Sequence, residues 1–144
     1  MNVAVERKTF GVSAAEVGAI DRWVEEVAAR WGESERTAFR ARLCIAELAA
    51  NVLEHGIARP GDDRIIVTLH QCGDGIGIEF LDSRGPYDPT ADAAAAGAGP
   101  IKATSIEAAS PSGYGLMLVR AYGSDIAYSN DGGRNRITLK IKSA

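Results

Sequence analysis

The hydrophobic positions in the first part of the chain change from an alternating to a helical spacing. Residues 2–10 alternate between polar and apolar side chains, which predicts a first strand. Ser13 and Glu16 form a capping-box pattern that opens a helix. Ser34 predicts the N-cap of a second helix, which continues to Gly56. The pattern therefore predicts one strand followed by two helices.

Alternating positions return in the second half of the chain and predict further strands. Residues 64–71 and 76–81 form one such pair, and Gly73-Asp74-Gly75 between them is a strong hairpin signal. After residue 112 the pattern predicts a helix and then strands over 126–129 and 136–141. The order indicates an α+β fold in a single domain over residues 1–144, a two-layer α/β sandwich with helices on one face of a mostly antiparallel sheet.

Between these regions, residues 83–112 are rich in Pro, Gly, Ala and Ser and show no regular pattern beyond a short alanine run. Loops longer than about 12–15 residues are uncommon in compact domains and are usually functional lids or disordered segments. We therefore expect a lid over a ligand site, with Lys102 as its one cation after Arg84.

Composition narrows the classes of partner. The 144 residues are 46% hydrophobic and carry a net charge of -3, which argues against nucleic acid or an anionic membrane as the main partner. No apolar run has the length of a membrane span, and the N-terminus lacks the apolar region of a signal peptide. We expect a cytoplasmic protein in which Cys44 and Cys72 are reduced structural residues.

The second predicted helix carries a polar stripe on otherwise apolar sequence. Glu47, Asn51 and His55 are spaced four residues apart, so they share one helical face. Burying a carboxylate or an amide without partners costs several kcal/mol by order of magnitude. The stripe therefore meets other polar groups or lines a cleft that holds a ligand, and His55 at the helix end is interpreted as structural.

The segment before the third helix suits a phosphate. Gly113 and Gly115 let the backbone approach an anion closely, and the helix that follows offers free N–H groups. Leu118 occupies the last position of the dinucleotide-binding glycine pattern, and no Gly-Lys-Ser/Thr follows, so neither common phosphate motif is present. A nucleotide would have to be bound by another architecture.

Three motifs in this order resemble the ATP-binding (Bergerat-type) fold that gyrase, sensor histidine kinases and mismatch-repair ATPases share. They are the Glu47, Asn51, His55-Gly56 spacing, Asp82 at the end of a strand, and Ser112-Gly113-Tyr114-Gly115-Leu116 after the lid. Within that superfamily the chain is most similar to the anti-sigma-factor serine/threonine kinases of bacterial partner-switching modules. The tracts Gly85-Pro86-Tyr87-Asp88-Pro89 and Gly132-Gly133-Arg134-Asn135 are similar to tracts of that group.

The resemblance implies a role for each matching residue. Asn51 matches the ligand of Mg²⁺, Glu47 the general base for the substrate hydroxyl, and Asp82 the acceptor of the adenine amino group. Asn135 stands where many relatives place a threonine that reaches adenine through water. The remaining residues implied in ATP or ADP binding are Gly85, Ser112, Gly113, Tyr114, Gly115 and Leu116.

Two positions depart from the family pattern. The first glycine box is usually Asp-x-Gly, but Arg84 stands at the glycine position and Gly85 follows one place late. This departure predicts a rebuilt loop under the adenine or an arginine directed towards a partner. Some relatives also have an arginine in the lid just before the second glycine box, where this chain has Pro111 and Ser112, so Lys102 or Arg120 is a candidate substitute.

The resemblance implies an ATP- and Mg²⁺-dependent protein serine/threonine kinase that is also an anti-sigma factor. Its expected partners are a STAS-domain anti-anti-sigma protein, which it phosphorylates, and a sigma factor or other output protein, which it sequesters; a homodimer is also possible. The alternative is a nucleotide-dependent binding switch without phosphotransfer. The catalytic domain of a histidine kinase is disfavoured, because no helical hairpin with a phosphoacceptor histidine precedes the fold.

Overall fold

The computed structural model describes residues 3–56, 61–84 and 111–144. Most of the predicted lid, including Gly85 and Lys102, lies outside the described residues. The predicted roles of those two residues therefore remain predictions. The side chains of His55 and of residues 111–116 also lie outside the description, although their backbone belongs to helices.

The described elements follow the predicted order. Strands and helices occur in the order β, α, α, β, β, α, β, β along the chain. Their bounds are β1 Val5–Gly11, α1 Ala14–Arg30, α2 Glu35–His55, β2 Arg64–Cys72, β3 Gly75–Asp82, α3 Pro111–Tyr122, β4 Gly123–Asp131 and β5 Arg134–Lys142.

Local capping explains where α1 and α2 begin. The Ser13 hydroxyl accepts a hydrogen bond from the Glu16 N–H (3.2 Å), and the Ser34 hydroxyl accepts one from the Thr37 N–H (3.1 Å). The predicted capping box forms only in part. The Glu16 carboxylate accepts a hydrogen bond from the N–H of Gly11 (3.0 Å) rather than from the N–H of Ser13. In the described part of the chain, no helix combines the length and apolar character of a membrane span.

The strands form one five-stranded sheet in the order β1-β2-β3-β5-β4, and every neighbouring pair is antiparallel. Side chains directly opposite each other across antiparallel strands share a face of the sheet. One such row joins Val67, Phe80 and Ile137, all buried, and the next joins Leu69, Ile78 and Leu139. These rows pack in one core with apolar residues of α1, α2 and α3, which confirms the predicted α+β class with helices on one face.

The third helix begins earlier than the sequence predicts. We expected Ser112 to Gly115 to precede it, but α3 starts at Pro111 and includes them. Proline is well tolerated in the first helical turn, where its missing N–H has no intrahelical partner in any case. The predicted phosphate-binding segment is therefore the N-terminal part of the helix itself.

A tight hairpin joins β4 to β5. Gly132 and Gly133 form its two-residue turn with φ values of 62° and 84°, a backbone region that side-chain-bearing residues rarely adopt. β4 is longer than the predicted 126–129 because it begins directly after α3. The turn fixes the register of the hairpin and pairs Asn130 with Asn135.

Candidate functional site

One row of side chains across the sheet changes from apolar to polar and defines the first half of the candidate site. Phe10 is opposite Ile65, Ile65 is opposite Asp82, and Asp82 is opposite Asn135, which pairs with Asn130. Phe10 and Ile65 belong to the core, so the row faces the helices. Asp82 and Asn135 are buried as well, with 6% and 2% of their surfaces exposed.

The Asn135 amide is fully engaged. Its Oδ1 accepts hydrogen bonds from the Tyr128 hydroxyl (2.8 Å) and the Asn130 Nδ2 (3.2 Å). Its Nδ2 donates to Asp82 Oδ1 (3.2 Å) and to the Arg84 carbonyl (2.8 Å). These bonds use both donors and both acceptor positions of an amide, so they fix its orientation. The predicted role of Asn135 towards a nucleotide stays a prediction, and what the structure shows is that the amide contacts the Asp82 carboxylate.

Arg84 is turned inward, so of the two alternatives predicted for this position the structure contradicts the arginine directed towards a partner. Only 12% of its side chain is exposed, and the guanidinium forms an ion pair with Asp63. The Arg84 N–H donates to Asp82 Oδ1 at 3.0 Å. The residue at the glycine position therefore forms part of the structure around Asp82.

The second half of the candidate site is the polar stripe of α2. Asn51 is 2% exposed, and neither atom of its amide has a hydrogen-bond partner among the described residues. An unsatisfied buried polar group costs roughly 1–3 kcal/mol, so its retention requires an explanation, and contact with a ligand is the one that the predicted role of Asn51 offers. The described residues also contain no cluster of three or more His, Cys, Asp or Glu side chains that would bind a metal without the help of a ligand.

Glu47 lies one helical turn before Asn51 and is half-buried. Burial raises the pKa of its carboxyl group above the ordinary value. The neighbouring Cys44 thiol is fully buried; burial, and secondarily the charge of Glu47, raise its pKa to about 12. This thiol is therefore protonated and unreactive at neutral pH, as expected for a structural cysteine.

Two contacts show how α3 lies against α2. The Arg40 guanidinium lies 5.0 Å from the ring centroid of Tyr122, and the Cys44 thiol donates to the Leu118 carbonyl at 3.9 Å. A step of four residues forward along α2 is thus a step of four residues back along α3, so the helices are antiparallel. Continued by one more turn, this register brings the N-terminal part of α3 beside the segment of α2 that contains Glu47 and Asn51.

The C-terminal end of α2 also approaches the end of β3. Arg84 Nη1 donates to the Val52 carbonyl (3.4 Å), and the Arg84 side chain covers the backbone of Gly56. The structure therefore brings three predicted elements together: the α2 stripe, the Asp82 end of β3 and the start of α3. Arg120 lies instead in the last turn of α3, about 12 Å of helix rise from Ser112, so it is not placed to substitute for the lid arginine.

Sequence reasoning missed three contributors to this site. Tyr128 and Asn130 hold Asn135, and Asp63 holds Arg84. The glycine pair at the β4–β5 turn contained the signal for Asn130, since a two-residue hairpin loop fixes which residues are opposite each other. No comparable local signal identifies Asp63, which meets Arg84 only through the tertiary fold.

Comparisons with known proteins agree with this fold. The family model described as the histidine kinase-like ATPase domain matches residues 10–141. Over 122 residues the chain is 31% identical to the serine/threonine-protein kinase BtrW of Bordetella bronchiseptica. The aligned residues cover 85% of this chain and 82% of the relative.

Two solved structures share the fold. The RsbU and RsbW domains of a Mycobacterium tuberculosis protein match with a TM-score of 0.67 and 15% identity, over 97% of this chain and 32% of that longer chain. A chain of the SiaB-SiaC complex from Pseudomonas aeruginosa matches with a TM-score of 0.62 and 14% identity, over 94% of this chain and 88% of that chain. At these identities the likeness concerns the fold alone.

Proposed function

The chain belongs to the histidine kinase-like ATPase domain family, and from that premise we propose that it is an ATP- and Mg²⁺-dependent protein serine/threonine kinase and anti-sigma factor. One observation carries the proposal. Asn51 has a buried amide without a partner among the described residues, one turn from Glu47 and beside the start of α3. A metal ion bound to the phosphates of a nucleotide would give the Asn51 amide its partner.

In the proposed site, the Asp82 end of β3 recognises adenine. The carboxylate accepts from the adenine amino group, and this hydrogen bond distinguishes adenine from guanine, which has a keto oxygen at that position. The two hydrogen bonds to Asp82 Oδ1 support this role because they hold the carboxylate in one orientation before a ligand arrives. Asn135 contributes by positioning Asp82.

The residues fit Mg²⁺ held jointly by protein and nucleotide. Mg²⁺ prefers oxygen ligands and keeps several waters, so one amide oxygen together with phosphate oxygens and waters forms a suitable set. Asn51 would supply the protein oxygen, and the free N–H groups in the first turn of α3, those of Ser112 and Gly113, would bind the phosphates. Gly115 lies one turn further on, where the lack of a side chain would let the phosphates approach the helix. When bound, the metal neutralises charge on the transferring phosphoryl group.

Glu47 is proposed to accept the proton of the substrate hydroxyl. A general base works best when its pKa lies near the working pH, and burial raises the Glu47 pKa in that direction. The side chain is half-buried, so a substrate hydroxyl can reach it. Phosphoryl transfer requires little beyond positioning, charge neutralisation and one base, and the three elements of the site supply these.

The proposed substrate is a serine or threonine of a STAS-domain anti-anti-sigma protein, and the proposed output partner is a sigma factor. These assignments extend the similarity to a serine/threonine-protein kinase and to RsbW and SiaB-SiaC structures. We place the protein in the cytoplasm, where both partners act, and include a homodimer as a possible assembly.

A transfer assay tests the proposal. The purified chain is incubated with γ-labelled ATP, Mg²⁺ and STAS-domain proteins of the same genome, and label on one STAS protein is the expected result. The same reaction with EDTA in place of Mg²⁺ is the control, and it should leave the STAS protein unlabelled. Tight ATP binding without transfer to any STAS protein would contradict the kinase and favour the alternative, a nucleotide-dependent binding switch.

A further inference from the structure

Arg84 makes an unusually complete set of contacts for an arginine at the end of a strand. Its Nε and Nη2 atoms donate to Oδ1 and Oδ2 of Asp63, each at 2.7 Å. Such a bidentate pair fixes the plane of the guanidinium as well as its distance. Arg84 lowers the pKa of the Asp63 carboxyl, so the pair is ionised at neutral pH.

The stem of the same side chain packs on the end of α2. A Cβ atom added to Gly56 would lie 2.6 Å from Arg84 Cδ, 2.7 Å from its Cβ and 2.5 Å from the Val52 carbonyl oxygen. Gly56 has an ordinary φ of -70°, so the glycine is needed for space rather than for conformation. The positive charge of Arg84 also lies at the C-terminal end of α2, where the helix dipole favours a cation.

The backbone of Arg84 meanwhile contacts both members of the polar pair on the sheet. Its N–H donates to Asp82 Oδ1 at 3.0 Å, and its carbonyl accepts from Asn135 Nδ2 at 2.8 Å. The side chain thus anchors a residue whose own peptide groups orient Asp82 and Asn135. A glycine at this position would provide the same peptide groups without the anchor.

We propose that Arg84, held by Asp63 and by the end of α2, is a positioning residue for adenine recognition: it fixes the backbone that orients the Asp82 carboxylate. The inference rests on the proposed function, since it assumes that Asp82 reads adenine. It assigns a role to the one position of the first glycine box where the chain departs from its family.

The test compares ADP with IDP, whose base has a keto oxygen in place of the adenine amino group. One hydrogen bond to a charged group corresponds to roughly a tenfold to hundredfold preference of the wild type for ADP. In Arg84→Ala the carboxylate loses its fixed orientation, so ADP affinity should fall about three- to tenfold while IDP affinity changes less than twofold. Calorimetry with both nucleotides gives the ratio.

The chain offers a matched control. Arg42 makes a bidentate pair with Asp21 (3.0 and 2.8 Å) between α2 and α1, and this pair is more exposed than that of Arg84 and Asp63. Arg42→Ala removes this bidentate pair, together with the ion pair of Arg42 with Glu25, and should leave the ratio of ADP to IDP affinity at the wild-type value. A general loss of stability would act on both nucleotides and in both variants alike.

Asp63→Asn provides a second measurement, because it leaves the Arg84 stem on Gly56 and only weakens the anchor. It should lower the ADP preference in the same direction as Arg84→Ala, and it serves alone if Arg84→Ala does not fold. Equal weakening of ADP and IDP in both variants, or no change in either, overturns the inference. A wild-type protein that binds neither nucleotide instead overturns the proposed function.

Discussion

The two halves of the candidate site differ in whether their buried polar groups have hydrogen-bond partners. At the sheet end, Asn135 makes four hydrogen bonds to other protein groups, and Asp82 accepts two through one oxygen. On α2, the Asn51 amide is equally buried but has no partner among the described residues. Its neighbour Glu47 has a pKa that burial raises.

This difference separates a preformed site from one that a ligand completes. A saturated network stabilises the fold and presents one orientation to a base, whereas an unsatisfied amide lowers the stability of the protein until an ion or phosphate arrives. We therefore expect substitutions at the sheet end to reduce stability and base recognition together. Substitutions on α2 should lower activity without lowering stability.

The largest expected effect is on transfer itself. Glu47→Ala should lower the rate of phosphate transfer to the STAS protein by roughly two to four orders of magnitude, the usual contribution of a general base. ATP affinity should remain near the wild-type value, because the proposed role of Glu47 is towards the substrate hydroxyl. Rates with γ-labelled ATP and affinities by calorimetry check the two parts separately.

Glu54 provides a control for this prediction, since it is an exposed carboxylate near the end of the same helix. Glu54→Ala should transfer phosphate at close to the wild-type rate. If Glu47→Ala also transfers at that rate, the general-base role is wrong and the stripe is structural or serves only to position the metal.

The next effect is on the choice of base. Asp82→Asn replaces an ionised acceptor with an amide, and the loss of a hydrogen bond to a charged group is worth roughly 1.5–3 kcal/mol, or about 10- to 150-fold in affinity. ATP affinity should fall by that amount and GTP affinity should not. Wild-type protein whose melting temperature rises as much with GTP as with ATP would contradict the assignment of Asp82.

Periodicity and capping predicted the order of elements, the antiparallel sheet and the beginnings of α1 and α2, because each depends on residues close together in sequence. The stripe of Glu47 and Asn51 and the strand end at Asp82 were also visible for this reason. The anchoring of Arg84 by Asp63 was not, since it joins residues 21 apart in sequence across a tertiary contact. The start of α3 was misplaced because glycines next to a helix suggested a loop, although Pro111 already opens the helix.

A pair of leucine substitutions tests the contrast directly. Asn51→Leu removes two buried polar atoms that have no partner in the described structure, so the nucleotide-free protein should become more stable by about 1–2 kcal/mol. Asn135→Leu removes the hydrogen bonds that this amide makes with Tyr128, Asp82 and the Arg84 carbonyl and should destabilise the protein by about 1–3 kcal/mol.

Chemical denaturation without nucleotide measures both variants. Asn51→Leu should also lose the part of ATP affinity that depends on Mg²⁺, so its gain in stability comes with a loss of function. Opposite signs of the two stability changes would support the contrast between the hydrogen-bonded amide of Asn135 and the amide of Asn51. If Asn51→Leu were destabilised as much as Asn135→Leu, the Asn51 amide would have a structural partner and the contrast would fail.

The smallest expected effect is the pH dependence of stability that Glu47 contributes. Because its pKa is higher in the folded than in the unfolded chain, the folded state binds the proton more tightly, and stability falls as pH rises from the unfolded value of about 4.3 through the folded pKa. Glu47→Gln resembles the protonated form at every pH. Its melting temperature should therefore match that of the wild type below about pH 4 and exceed it at pH 7. The increase at pH 7 should be smaller than the increase in melting temperature that Asn51→Leu shows. A Glu47→Gln curve parallel to the wild type at all pH values would mean that burial does not perturb this carboxyl.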